Sequence, residues 1–177
     1  MGNTTGMISR IFIPTATVAL ILGIGGLAGC AKGPEFQDRT ARLTLGTDTE
    51  SYTLDSCGLM GETIFVVGRS DAGAIIQLVM GMEDDAKTAV LASSGFTVDL
   101  DPTGDDSRLS AFGQEAWERR SSSGRAPGEI TSARLRGSRI QMAGNAVPLD
   151  GQDRIEVGGE AQSFTFDGRC DEREQGN

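Results

Sequence analysis

The sequence has 177 residues, 38% of them apolar, with 16 basic against 25 acidic side chains and no histidine. That length predicts one domain, and the missing histidine excludes Ser-His-Asp and Cys-His catalysis and any zinc site built on imidazole. Three cysteines are too few for a four-cysteine zinc or iron–sulfur site, and a net charge of −9 repels phosphate backbones, so no nucleic-acid partner is expected.

The N-terminus reads as a targeting segment and is set apart from the fold. Arg10 precedes an apolar run from Ile11 to Leu22, followed by Gly23-Ile24-Gly25-Gly26 and then Leu27-Ala28-Gly29-Cys30. A Leu-small-small-Cys tetrad after such a run resembles the bacterial lipobox. Small residues before the cysteine let an extended peptide fit the signal peptidase, and the Cys30 thiol takes the diacylglyceryl group. The apolar core is shorter than the roughly 20 residues of a spanning helix. Met1-Gly2-Asn3-Thr4-Thr5-Gly6 lacks the Ser or Thr that myristoylation needs at position 6. Translation starting at Met7 would leave a tidier charged segment. Residues 1–29 are therefore expected to be a lipoprotein signal peptide, with Cys30 lipidated and residues 30–41 a short tether. Residues 1–29 hold a single charge, Arg10, so the chain beyond them carries −10. Eleven extended residues after Cys30 reach at most about 35–40 Å, which keeps the domain close to its membrane.

From residue 42 to residue 170 the pattern is short, alternating and punctuated by turns, which predicts an all-β domain. The expected strands are Arg42–Leu45, Ser51–Cys57, Thr63–Val67, Ala74–Met80, Lys87–Leu91, Phe96–Leu100, Leu109–Trp117, Glu129–Arg136, Arg139–Ala143 and Ser163–Arg169. Thr63–Val67 and Ile75–Val79 carry the strongest signal, being rich in β-branched and aromatic residues. Ala111–Trp117 also fits a helical turn. Turns are expected at Gly81–Asp85, at Arg136-Gly137-Ser138 and at Asp150-Gly151. Ser121–Gly128 reads as a mobile loop, and residues 171–177 as a disordered polar tail. The architecture expected is a single compact antiparallel domain, a sandwich or a partly open barrel. Apolar residues in twos, Val66-Val67 and Ile75-Ile76, put some on the opposite face of the sheet, facing a second layer or a lined cavity.

Cys57 lies in an early strand and Cys170 at the end of the last. In an oxidising envelope such a pair is most simply a disulfide. Asp99-Leu100-Asp101-Pro102-Thr103-Gly104 follows the spacing of a calcium loop, but position 12 falls on Ser110 and the bidentate glutamate is missing; no metal and no cofactor is expected. Gly68–Gly73 is one residue too long for a nucleophile elbow, and no motif singles out a carboxylate pair for glycoside hydrolysis. Catalytic residues are expected to be none. Arg119, Arg120, Arg134 and Arg136, within a stretch that also holds Arg125 and Arg139, are the candidates for gripping an anionic headgroup or glycan. Arg134 and Arg136 equally fit the solvated face of a strand with Leu135 turned inward.

Ser51–Cys57, the strands ending Ala74–Leu78, Ala86–Leu91 followed by Ser94–Val98, and Arg139–Ala146 with Gln162–Cys170 together resemble the mycobacterial lipoprotein antigen (LpqH-like) family. That family has a lipobox cysteine and two further cysteines, which map onto Cys30, Cys57 and Cys170. The Thr/Ser/Ala-rich segment that follows the family's lipobox is absent here, and Asp101–Gly128 is bulkier and more charged. The resemblance implies a compact β domain on a lipid anchor, surface-exposed and antigenic, with no catalytic residues. The function expected is a non-enzymatic, membrane-anchored envelope module on the extracytoplasmic side that binds a lipid, glycolipid or other amphiphile. The alternative is a structural or surface-interaction antigen with a filled core.

Overall fold

The computed structural model describes residues 37–171 apart from 86, 105–107, 121 and 156–158. Residues 1–29, expected as a signal peptide, lie outside the described residues, as do Cys30, residues 172–177 and most of the expected tether.

The described residues form nine strands and one helix. The strands are β1 (Thr40–Leu45), β2 (Asp48–Met60), β3 (Thr63–Ser70), β4 (Ile75–Met82), β5 (Ala89–Asp99), β6 (Arg108–Phe112), β7 (Glu129–Arg136), β8 (Arg139–Leu149) and β9 (Gln162–Arg169), with α1 (Gln114–Arg119) between β6 and β7. All are paired antiparallel in the order β6-β5-β4-β3-β2-β1-β9-β8-β7. A further ladder, Arg108, Leu109 and Ser110 against Leu149, Pro148 and Val147, joins β6 to β8. Eight strands thereby close into a barrel. β7 is not one of the eight; it takes the stretch of the β8 edge that β6 leaves free, Arg136 pairing with Arg139 and Glu129 with Asn145, and turns Ile130 into the core beside β5.

Two-residue turns at Gly46-Thr47, Gly61-Glu62 and Gly137-Ser138 connect β1 to β2, β2 to β3 and β7 to β8. Each starts with glycine at positive φ, 56°, 60° and 59°. That backbone twist matches the right-handed twist of the flanking strands and is open to glycine at little cost.

Alternation places one residue in two inside the ring. An eight-stranded barrel is just wide enough for its own side chains to fill it, and here they do. Leu43, Leu54, Val66, Ile76, Leu78, Met80, Val98, Ile140 and Met142 are almost fully buried. Phe96 of β5 and Phe164 of β9 stack across the interior with centroids 4.1 Å apart. Gly144 leaves room for that stack, since a Cβ there would sit 2.8 Å from the Phe164 ring, and Gly168 does the same for Phe166, 2.8 Å from its ring and 2.9 Å from Ala41. The outer wall carries Arg42, Arg69, Gln77, Arg134 and Asp167, none of them buried. Apolar inside and polar outside is the reverse of a membrane-spanning barrel.

Outside the ring, Phe112 and Leu149 form a small apolar patch that α1 covers with Ala116 and Trp117. Gly95 gives the Phe112 ring its place on the wall, because any side chain there would collide with it.

Several expectations are corrected. Lys87–Leu91 and Phe96–Leu100, expected as two separate strands, fall for the most part within one continuous strand, β5. The register shifts between Val79 and Gly81, and the fully buried Ser94 spans the irregularity. Its hydroxyl accepts the Gly81 N–H at 3.2 Å and donates to the Val90 carbonyl at 2.7 Å. The strand can then bend without leaving buried backbone groups unpaired. Leu109–Trp117 divides into β6 and α1, Gly113 preceding the helix in extended conformation. β1 begins at Thr40, so the tether is shorter than expected, and Ala41 is a core residue. The expected mobile loop is tied down where it is described. The Gln114 side chain donates to the Gly124 carbonyl and accepts the Ala126 N–H, and Pro127 is buried. Asp171, expected to open a disordered tail, accepts two hydrogen bonds from Arg39 Nε at 3.0 and 3.1 Å. Val67 and Ile75 face outward and half-exposed, while Val66 and Ile76 point into the core.

Cys57 and Cys170 are bonded, with a Cα–Cα distance of 5.6 Å and a sequence separation of 113. The bond holds β2 to the end of β9 beside the core. A loop of that length is worth roughly 4–5 kcal/mol of denatured-state entropy. The Cys57→Ser/Cys170→Ser variant is expected to lose about 2–5 kcal/mol in guanidinium unfolding; a loss below about 1 kcal/mol would show the ring holding β9 without help. Trp117 Nε1 is buried with no acceptor among the described residues, so its burial carries a desolvation cost. Trp117→Phe should therefore cost only about 1 kcal/mol, against about 3–5 for Trp117→Ala, in the same measurement.

Candidate functional site

β1 runs from the point where the chain enters the fold to one open end of the barrel, about 17 Å away over five residues. At that end the packed interior gives way to a cleft open to solvent. The cleft, of about 370 Å³, opens between the β1–β2 hairpin, the end of β5 and the start of β9, lined by Leu43, Leu45, Glu50, Tyr52, Leu100 and Gln162, with Asp48 and Thr49 at the rim. Barrel mouths are a usual place for small-ligand sites, and this volume is near the lower end of their range.

The strand pattern explains the lining. Tyr52 lies opposite Ala41 on one side and Ser70 on the other, and shares the inward face with Leu54. Glu50, two residues earlier, points the same way and sits opposite Leu43, where the ring has begun to open to water. The Tyr52 hydroxyl donates to Glu50 Oε2 at 2.9 Å. Leu100 is exposed at the edge of the mouth and Leu45 half-buried. Leu43, Leu45 and Leu100 thus supply an apolar wall, and Tyr52, Glu50 and Gln162 the polar groups.

Burial first, then the hydrogen bond to Glu50 and its negative charge, push the Tyr52 phenol well above its ordinary range. A phenol held in its neutral form donates a hydrogen bond and does not act as a base at physiological pH. With the phenol proton given to Glu50, the mouth is chemically suited to hold a hydrogen-bond donor or a polar head beside a short apolar segment.

The arginines singled out in the sequence do not form one site. Arg119 donates to the Glu115 and Ser93 carbonyls from α1. Arg120 lies 5.1 Å from the Phe112 ring centroid and 3.8 Å from Asp153. Asp153 also pairs with Arg108, whose strand partner Leu149 is eight residues along β8 from Gln141, about 26 Å. Arg134 sits opposite Gln141 and Arg136 opposite Arg139, at the other end of the barrel from the mouth. Both are exposed and carry no ion pair among the described residues.

The acidic loop after β5 is a turn over its described part. Asp101 Oδ1 accepts the Thr103 hydroxyl at 2.7 Å and the Thr103 N–H at 3.1 Å, and the Asp101 carbonyl accepts the Gly104 N–H. The Thr103 hydroxyl and N–H hold this carboxyl below its ordinary range. Asp105 and Asp106 lie outside the described residues.

The sequence reading missed Glu50, Tyr52, Leu45, Leu100 and Gln162 as a site. One signal was present: Glu50 shares the inward parity of Tyr52 and Leu54, and an inward carboxylate at a strand end marks where a barrel opens. Leu100 and Gln162 carry no local signal, since only ring closure brings β5 and β9 to one rim.

Compared with protein-family models and with curated proteins, the chain matches none, so the reading of the mouth rests on its own geometry.

Tyr52 is the only tyrosine in the chain, so absorbance at 295 nm follows this residue alone. Above pH 10 an unfolded tyrosine releases its proton while folded Tyr52 keeps it, so stability falls as pH rises beyond that point. Phenolate formation in native protein is expected to lag the denatured protein. In Glu50→Gln, which removes the neighbouring charge, the lag should shrink; coincident native and denatured curves would contradict a buried phenol.

Proposed function

We propose that this chain is a bacterial envelope lipoprotein, acylated on Cys30, whose barrel is a non-enzymatic binding module that takes one end of an amphiphile in its mouth. The observation that carries the reading is the pairing of a polar floor, Tyr52 with Glu50, and an apolar wall, Leu43, Leu45 and Leu100, in one cleft of about 370 Å³. The stack of Phe96 on Phe164 fills the ring beneath it. The ligand this suits is one gripped at its head and first few carbons, with the remainder outside. Leu27-Ala28-Gly29-Cys30 supports the anchor. A lipid anchor and the position of β1 together leave the mouth facing away from the membrane, toward envelope material. The resemblance of the strand and cysteine order to the mycobacterial lipoprotein antigens points to the same extracytoplasmic location. The filled interior favours a second reading, a structural or surface-interaction antigen that holds no small molecule.

Intact mass of the protein from its own host is expected to show a diacylglyceryl-modified Cys30 as the first residue; an unmodified chain retaining residues 1–29 would overturn the anchor. Native mass spectrometry of that protein should retain an amphiphile that Leu45→Trp, which fills the mouth, expels. Retention of the same ligand by Leu45→Trp, or no ligand from the wild type, would favour the structural antigen.

A further inference from the structure

At the end of the barrel opposite the mouth, cross-strand register lines up three arginines. Arg136 of β7 lies opposite Arg139 of β8, Arg139 opposite Arg169 of β9, and Arg169 opposite Thr40, the first residue of β1. Like charges placed directly opposite one another destabilise a sheet, so such a row needs compensation. Asp167 takes Arg139 in a two-pronged pair, and Asp38 takes Arg169 at 2.9 Å. Arg136, with Arg134 two residues before it on the same outer face, is left exposed with no acidic partner among the described residues. The unneutralised end of the row therefore points outward, at strand spacing about 14 Å from where the chain enters the barrel.

The position of that entry constrains what the row can meet. Six residues separate Cys30 from Gln37, the first described residue, and they span at most about 24 Å. An acyl group on Cys30 would hold this end of the barrel against the bilayer that carries it. The same end is not basic all round. The turn after β4 exposes Glu83, Asp84 and Asp85, across the ring from β1 and β9 and with β5 between it and β7. An anionic surface then attracts one quadrant and repels the other, which favours a tilt.

We propose that the β7–β8–β9 quadrant, through Arg134 and Arg136, docks on anionic lipid headgroups of the membrane that holds the anchor, tilting the barrel so that its mouth projects sideways and outward. This rests on the lipoprotein reading for its geometry, and the two can fail separately. Near such a surface each arginine shifts the docked-to-undocked ratio about fivefold, and a screening length of about 10 Å at 0.1 M salt makes the effect sensitive to ionic strength.

Trp117 is the only tryptophan, and it lies under α1 beside the β6–β8 wall, so its distance from the bilayer reports the tilt. The experiment places the full mature protein in nanodiscs of phosphatidylcholine, with or without phosphatidylglycerol, containing a trace of dansyl-labelled lipid. Energy transfer from Trp117 is expected to rise with phosphatidylglycerol, to fall back in 0.5 M salt, and to lose the rise in Arg134→Glu/Arg136→Glu. The neutral variant Arg134→Gln/Arg136→Gln, with no introduced charge, should fall between. Equal transfer in the two discs, or a rise undiminished in both variants, overturns the docking. Intact mass is read on the same sample: an unacylated chain that still responds through the arginines defeats the anchor and leaves the docking standing.

Discussion

The ladder between Arg108–Ser110 and Val147–Leu149 is the constraint on which the rest of the structure depends. It is three residue pairs long, yet it turns an open sheet with two unprotected edges into a ring. Closure at eight strands sets the radius, and the radius sets how much side chain the interior accepts. Inside it the Phe96–Phe164 stack and the glycine at 144 become complementary features of one packing problem. Pro148 belongs to this ladder and has no N–H to donate, so the closure leans on side-chain packing as well as backbone bonds. The Leu149, Phe112 and Trp117 patch outside the ring reinforces the same seam.

Closure also decides where chemistry is left over. A ring packed with apolar side chains along most of its axis leaves functional surface at its ends and on its wall. At one end Glu50 and Tyr52 face the opening; at the other the disulfide and the place where the chain enters sit beside a row of arginines. The molecule proposed above therefore has one pole suited to a bilayer and the other to a ligand. The helix on the wall occupies Arg119 and Arg120 in local contacts, which removes them from either pole.

The strands were legible because their cause is local. β3 and β4 alternate β-branched and aromatic residues strictly enough for period and propensity to agree. β5 was misread because its middle, Ala92-Ser93-Ser94-Gly95, has turn composition. Ser94 serves instead as a bridge across a bulge, a role that exists only when β4 lies alongside. The loop before β7 looked mobile for the same reason. Its composition is polar, but Gln114 of the helix holds its backbone and Pro127 is buried against the barrel. Contacts between distant parts of the chain overrode local preference in both places.

By itself the sequence determined that the domain is all-β, that its hairpin turn at Gly137 is tight, and that Cys57 and Cys170 are the pair available to one another. Each follows from side-chain periodicity, from glycine's access to positive φ, or from there being two thiols after Cys30. Only the tertiary structure decided that the sheet closes, that the interior is full, and that Leu45, Glu50, Tyr52, Leu100 and Gln162 share one mouth. Only it separated Arg120 from Arg136 and set Arg136, Arg139 and Arg169 in a row. Those are matters of register and ring closure, which depend on how strands far apart in the chain meet, and no local pattern of residues encodes them.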